Sequence, residues 1–239
     1  MAGETRREHD HRRVLGVDLG QTDILVLSHG HYDHTGGVPK VLQHTRKVAV
    51  YCHPGVVQPR YSIRNGTRKP IQMPRESIAA FDRLPSQHLH WVQQPIWLSE
   101  RIGLSGPIPR ETSYEDTGGP FFLDPGGKRA DLIDDDLALW IRTDAGLVIC
   151  VGCSHAGLVN TLNHGRRLSN GLRVRAVIGG FHLLNASCQR LDQTVAALRS
   201  LRPDMLVHCH CTGEHAADVL RDALGEGVSS GAAGVTYQF

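Results

Sequence analysis

Aromatic residues make up only 5% of this 239-residue chain, and it has three methionines and six cysteines. Cysteines this sparse exclude a disulfide framework of the kind that holds small secreted domains together, so a reducing cytoplasm is the expected compartment. No apolar run approaches the ~18 residues needed to span a bilayer. Residues 1–13 contain no apolar signal-peptide core and read as a charged, partly disordered N-terminus. An excess of one charge sign is also missing: 26 Lys and Arg face 24 Asp and Glu, for a net charge of +2. That balance gives no support to a nucleic-acid-coating surface, and a small-molecule substrate is the expected partner, with neither nucleic acid nor membrane. There is no internal repeat and no low-complexity tract.

What the chain has in excess is histidine, with 15 residues. Histidine is the commonest metal ligand, so the question is whether these residues cluster. Apolar patterning places a strand at Ile24–Ser28, a short helix within Gly37–His44 and a strand at Lys47–His53. Residues 54–125 hold ten of the twelve prolines. The stretch at about 54–130 therefore reads as a loop-rich insertion, with short strands near Leu89–Val92 and Ile96–Gly103. Leu137–Ile141 and Leu147–Val151 flank a hairpin turn at Asp144-Ala-Gly146. Helices at 157–168, 189–201 and 214–224 then alternate with strands at 174–178 and 205–208, and a last strand is expected at Val235–Phe239. This order implies an α/β layered fold, a single domain over 14–239.

The densest signal is Ser28-His-Gly-His-Tyr-Asp-His-Thr-Gly-Gly37. It packs His29, His31, Asp33 and His34 directly behind a buried strand, and imidazole and carboxylate suit Zn²⁺ and neighbouring divalent metals. A polar loop with incidental histidines is the bland alternative, and three His and one Asp in six positions speak against it. Three more histidines follow later strands beside glycine: His155 in Val151-Gly-Cys-Ser-His-Ala-Gly157, His182 in Ile178-Gly-Gly-Phe-His-Leu183, and His210 in His208-Cys-His-Cys-Thr-Gly213. Side chains at successive strand ends can meet at one sheet edge. His53 and His208 are weaker candidates, and His9, His11, His44, His88, His90, His164 and His215 read as surface. Cys150-Val-Gly-Cys153 with Cys209-His-Cys211 offers a competing thiolate zinc site. Cys150, inside an apolar strand, is better explained as core, and Cys153 stays open as an additional ligand.

Taken together, these residues resemble the metallo-β-lactamase superfamily, whose hallmark HxHxDH loop stands here at 29–34. The match is closer to one branch, which includes 7,8-dihydropterin-6-methyl-4-(β-D-ribofuranosyl)-aminobenzene-5′-phosphate synthases. Gly106-Pro-Ile-Pro-Arg110, Asp135-Asp-Leu-Ala-Leu139, Gly152-Cys-Ser-His-Ala-Gly157, Gly179-Gly-Phe-His-Leu183 and His210-Cys-Thr-Gly213 follow that branch in order. The resemblance implies an αββα sandwich with one or two divalent ions, Zn²⁺ or else Mn²⁺ or Fe, at one edge. His29 and His31 would bind one ion, Asp33 and His34 the second, and His155 and His210 would complete the set. The Gly-Cys-Ser-His turn stands where the superfamily places a bridging Asp. The branch's usual N-terminal strands would be missing ahead of Leu15-Gly-Val-Asp-Leu19, leaving an open sheet edge that invites pairing, as in a homodimer.

The implied activity is metal-dependent hydrolysis, or a related transfer, on a small phosphorylated or ester substrate. Asp33 would orient the nucleophile, His182 would act as general acid, and Arg110 would hold an anionic group unless it is a plain surface arginine. The alternative is a non-catalytic metal-binding module derived by N-terminal truncation.

Overall fold

A computed structural model of the chain describes residues 16–45 and 47–239; the charged segment 1–13 lies outside the described residues. The chain runs through β1 (Ile24–Val26), the single turn α1 (Tyr32–Thr35), α2 (Val38–His44) and β2 (Ala49–Cys52). A hairpin of β3 (Tyr61–Arg64) and β4 (Thr67–Pro70) leads to α3 (Arg75–Asp82), β5 (Leu89–Trp91), β6 (Ile96–Trp97), β7 (Ile102–Leu104) and β8 (Phe121–Phe122). The second half holds β9 (Ala138–Thr143), β10 (Gly146–Val151), α4 (Leu158–Leu168), β11 (Val174–Gly180), α5 (Cys188–Leu201), β12 (Met205–Cys209), α6 (Glu214–Leu224) and β13 (Val228–Ser230).

Three sheets result. The small one, β1-β2-β5, is parallel throughout. The large one has the order β13-β12-β11-β10-β9-β7-β6, with its first four strands parallel and the rest antiparallel. The third, β4-β3-β8, is antiparallel. Parallel strands need crossover helices, and the α4, α5 and α6 segments provide them.

Burial reveals the layering. Val38 and Leu42 of α2 and Ile78 and Phe81 of α3 pack against Leu27, Val50 and Cys52 on the outer face of the small sheet. Leu158, Leu162, Leu191, Leu198 and Leu220 cover Leu147, Ile149, Val177 and Leu206 on the outer face of the large one. Between the two sheets lie Val26, Tyr51 and Val92 against Leu104, Leu137 and Leu139. Strand alternation makes this possible: in β9, Ala138 and Trp140 join the helix-side core while Leu139 faces the other sheet. The order is helix, sheet, sheet, helix, the αββα arrangement that the resemblance implied. Among the described residues β1 is an edge strand, with Ile24 and the preceding Val17 exposed. Among the same residues, no helix is long and apolar enough to cross a membrane.

Three expectations need correction. The stretch at 54–130 is not a loop-rich insertion, because it supplies β5, β6 and β7 to the two main sheets as well as α3 and the third sheet. Its prolines punctuate elements and do not break them. Pro74 caps α3, Pro70 ends β4, and Pro95 and Pro120 precede β6 and β8. Asn65-Gly66, both at positive φ (49° and 76°), make the tight hairpin turn between β3 and β4. Next, the segment read as one strand at 96–103 folds back on itself as β6 and β7. Finally, Val235–Phe239 is irregular; the closing strand is β13, parallel to β12, where Val228 is the first buried apolar residue after α6.

The inter-sheet core is small, so each member carries a large share of it. Leu104→Ala, at a fully buried site, should cost about 2–5 kcal/mol in urea unfolding. A loss under about 1 kcal/mol would contradict the layering described here.

Candidate metal centre

The ligand loop forms where β1 ends. Residues 27–30 carry no regular structure, and His31, with extended backbone, is the N-cap residue of α1, whose single turn carries Asp33 and His34. Thr35 Oγ1 donates to the His31 carbonyl at 2.8 Å and ties the turn to its own start. Gly30 allows the loop to pass the backbone of Val56, whose carbonyl oxygen lies 2.2 Å from where a Cβ would stand. The later histidines leave the carboxyl ends of the adjacent parallel strands β10, β11 and β12, so the topology alone brings them to one edge. Each of these loops contains a non-glycine residue in the left-handed region: Ser154 (φ 53°), His182 (48°) and His210 (52°). Backbone held this way is uncommon and clusters at functional sites.

All six strand-end and loop histidines meet. The ring centroids of His29 lie 4.2 Å from His34 and 4.7 Å from His155; His31 is 4.8 Å and His182 4.2 Å from His155. His34 Nε2 is 3.2 Å from His210 Nε2 and 3.1 Å from Cys153 Sγ, and Asp33 Oδ2 is 3.2 Å from His210 Nε2. Among the described residues three sets have ligand atoms mutually within 4.8 Å: His29–Cys153–His155, His34–Cys153–His210 and Cys153–His182–Cys211. Cys150 and Cys209 belong to none of these sets, so the four-cysteine reading does not describe this site. The ring of Phe121 on β8 stands 5.2 Å from His31 and 5.5 Å from His155, walling the site with an apolar face.

Arg110 is placed differently. Its guanidinium donates to the carbonyls of His155 (2.8 Å) and Leu132, bracing the loop that carries His155. His164, read as surface, is buried with Nε2 2.9 Å from the Ser105 carbonyl. His53 caps the turn at Pro54–Val57 through its Nδ1, which accepts from Gly55 N at 3.1 Å.

The buried imidazoles of His29, His31 and His155 are uncharged at neutral pH. The His155 Nδ1 lies 2.8 Å from the Thr117 carbonyl. A carbonyl can only accept, so Nδ1 carries the hydrogen and Nε2 presents its lone pair. This is the arrangement in which a metal-binding imidazole is oriented by a backbone oxygen. That Nε2 is buried with no partner, as is Nε2 of His31. Burial, and then the neighbouring imidazoles His155 and His34, hold His29 well below its ordinary value. Burial and then His182 do the same to His155. His31 falls to about 3 through burial and the charge of Arg60. Burial pulls the Asp33 carboxyl up, but its hydrogen bond with His210 and the nearby His34 outweigh this and leave it at about 2. Cys153 and Cys211 share one hydrogen bond, which lowers Cys211 to about 4 and raises Cys153. Buried, neutral imidazoles with unpartnered nitrogens beside an ionised carboxylate fit a divalent metal.

Residues that carried no ligand signal hold the cage in place. Arg60, 1% exposed, lies between two carboxylates. Its Nη1 donates to Asp135 Oδ2 at 2.9 Å, and its Nε is 3.0 Å from Asp131 Oδ2. Asp135 Oδ2 also accepts from Gly30 N at 2.8 Å, between the first two histidines. Asp136 Oδ2 accepts from Ala156 N at 2.8 Å, next to His155, and burial raises its pKa to about 7. Consecutive carboxylates thus brace separate ligand loops. Asp135-Asp136 lies in a motif of the resemblance, but nothing in the sequence pointed to Arg60, 75 residues away from its partner.

Asp135→Ala leaves the buried Arg60 charge with Asp131 alone and releases Gly30. It should cost about 3–5 kcal/mol in stability and weaken metal binding about 10–100-fold, measured by denaturation and by metal titration. Unchanged metal affinity would refute the bracing role. The depressed histidines give a pH signature. Their stabilising effect in the metal-free protein is complete above the unfolded value of ~6.5 and is lost as pH falls through the folded values, which reach about 3 at His31. The urea-unfolding free energy of metal-free protein should therefore drop steadily over that window, by about 1.4 kcal/mol per pH unit for each such histidine. A flat profile would contradict the neutral cage.

Comparison with known proteins agrees with this geometry. Residues 2–171 match the metallo-beta-lactamase superfamily profile. A 7,8-dihydropterin-6-methyl-4-(beta-D-ribofuranosyl)-aminobenzene-5'-phosphate synthase of Methanocaldococcus jannaschii is 29% identical over 227 residues, 90% of this chain and 74% of that one. An uncharacterised protein of the same organism is 33% identical over 193 residues, 80% and 69% of the two chains. A crystal structure described as a metal-dependent hydrolase of the beta-lactamase superfamily, Tm1679, superposes with a TM-score of 0.77 at 28% identity, covering 95% of this chain and 83% of the other. The four-layer fold, the strand-end histidine cage and the profile match agree: this chain belongs to the metallo-beta-lactamase superfamily.

Proposed function

We propose that this protein is a divalent-metal-dependent hydrolase, or a related transferase, acting on a small phosphorylated or ester substrate. The observation that carries the reading is the pair of buried, unpartnered Nε2 atoms of His31 and His155 inside a cage of imidazoles. His29, His31 and His155 would hold one ion, and Asp33, His34 and His210 a second. Bound divalent ions supply Lewis acidity and a water whose pKa falls to ~7.

The chain's own groups would do the rest. Asp33, ionised at neutral pH, would orient the attacking nucleophile by accepting its hydrogen bond. His182, 4.2 Å from the His155 ring and with a buried, unpartnered Nδ1, would deliver a proton to the leaving group. Phe121 would keep bulk water from the reacting atoms. Arg110 is committed to the carbonyls of His155 and Leu132, so its part would be to brace the His155 loop and not to hold an anionic group of the substrate. The similarity to a protein named as a 5'-phosphate synthase and to one described as a metal-dependent hydrolase supports this class of chemistry.

A panel of phosphodiesters, lactones and thioesters with metal supplied tests the reading. The protein should turn over at least one class in a metal-dependent way. His31→Ala and Asp33→Ala should lose bound metal and more than about 100-fold in rate, since even outer partners of ligands are worth 10–100-fold. A fully metal-loaded and active Asp33→Ala, H31A double variant would overturn it.

A further inference from the structure

We propose that the Cys153 thiolate is a ligand shared by the two metal positions, standing where an aspartate bridge was expected. The inference rests on the two-ion reading above and goes further by naming the shared donor.

Three observations carry it. The first is position. Cys153 Sγ belongs both to the set with His29 and His155 and to the set with His34 and His210. Among the described residues no other side chain belongs to both. The second is environment. Cys153 is 3% exposed, yet its sulfur lies 3.1 Å from His34 Nε2, and Cys211 Sγ donates to the Cys153 carbonyl at 3.8 Å. A buried free cysteine ordinarily packs as a small hydrophobe; this one sits among imidazoles and a second thiol. The third is that, among the described residues, no other anion is placed to serve both positions. Two divalent ions held mainly by neutral imidazoles need negative ligands, but Asp135 is bound to Arg60 and Gly30 and Asp136 to Ala156 N. Asp33 contacts only the His34 and His210 side, and the Cys211 sulfur belongs only to the set with Cys153 and His182.

The chain delivers the sulfur to that point. At the end of β10, Gly152 is pressed so close to the metal loop that a Cβ there would lie 2.2 Å from Ser28 Oγ. Ser154 then turns the chain in the left-handed region, with its hydroxyl donating to the Gly180 carbonyl at 2.9 Å. On metal binding the Sγ–H bond breaks, the sulfur lone pair forms the metal bond, and the proton leaves to solvent. A soft donor shared by both positions would favour borderline metals such as Zn²⁺, Co²⁺ or Fe²⁺ over Mg²⁺ and Mn²⁺.

Cobalt(II) loading of the full chain tests this without reference to activity. The two-cobalt protein should show a near-ultraviolet thiolate-to-cobalt charge-transfer band, and its two ions should be magnetically coupled. Cys153→Ser should abolish the band. Cys153→Asp should keep both ions while losing the band, which guards against a serine variant that fails to fold. Cys211→Ser should retain the band. A two-cobalt wild type with no band, or a band that survives in both Cys153 variants, overturns the proposal while leaving the hydrolase reading standing. A chain that takes up no cobalt overturns both.

Discussion

One carboxylate, that of Asp135, ties the fold to the site. It accepts the Gly30 N–H and two donors of a guanidinium that is itself almost wholly buried. A buried charge with a missing partner is expensive, so Arg60, Asp131 and Asp135 are fixed together or not at all. The loop bearing His29 and His31 passes between this ion cluster and the Val56 backbone at Gly30 and inherits its position from both. Asp136, one residue on, holds the His155 loop in the same manner. Both residues sit just ahead of β9, the strand whose side chains alternate between the inter-sheet core and the helix-side core. Packing of the sandwich is thereby converted into placement of ligands.

The second constraint is the mutual crowding of the imidazoles. Rings with centroids 4.2–4.8 Å apart cannot all carry charge, and burial disfavours the charged form further. His210 departs from this pattern, its pKa raised by its hydrogen bond to Asp33, because it lies at the more open side of the cage. The buried, unpartnered Nε2 atoms of His31 and His155 are unfavourable in isolation, and a bound cation would relieve them.

Much of this site was legible in the sequence because its signals are local. HxHxDH at 29–34 needs only a strand end to be read, and the histidines at 155, 182 and 210 each follow a strand that the apolar pattern marks. What failed were readings that depended on distant partners. Arg60 looks like any arginine until Asp135 is brought beside it, and Arg110 looks like an anion ligand until the carbonyls of Leu132 and His155 claim its guanidinium. His164 looks like a surface residue until α4 turns it toward Ser105. The proline count in 54–125 suggested loops because prolines at element edges and prolines inside loops look alike without coordinates. The Asn65-Gly66 turn was the available signal for the hairpin there.

The account stands on the cage being a metal site. Anomalous diffraction from crystals of the protein, measured on either side of the absorption edge of the metal it carries, tests this most directly. It predicts one or two peaks enclosed by His29, His31, Asp33, His34, Cys153, His155 and His210, absent in His31→Ala crystals. A metal peak elsewhere in the molecule, with the cage holding only ordered water, would contradict it.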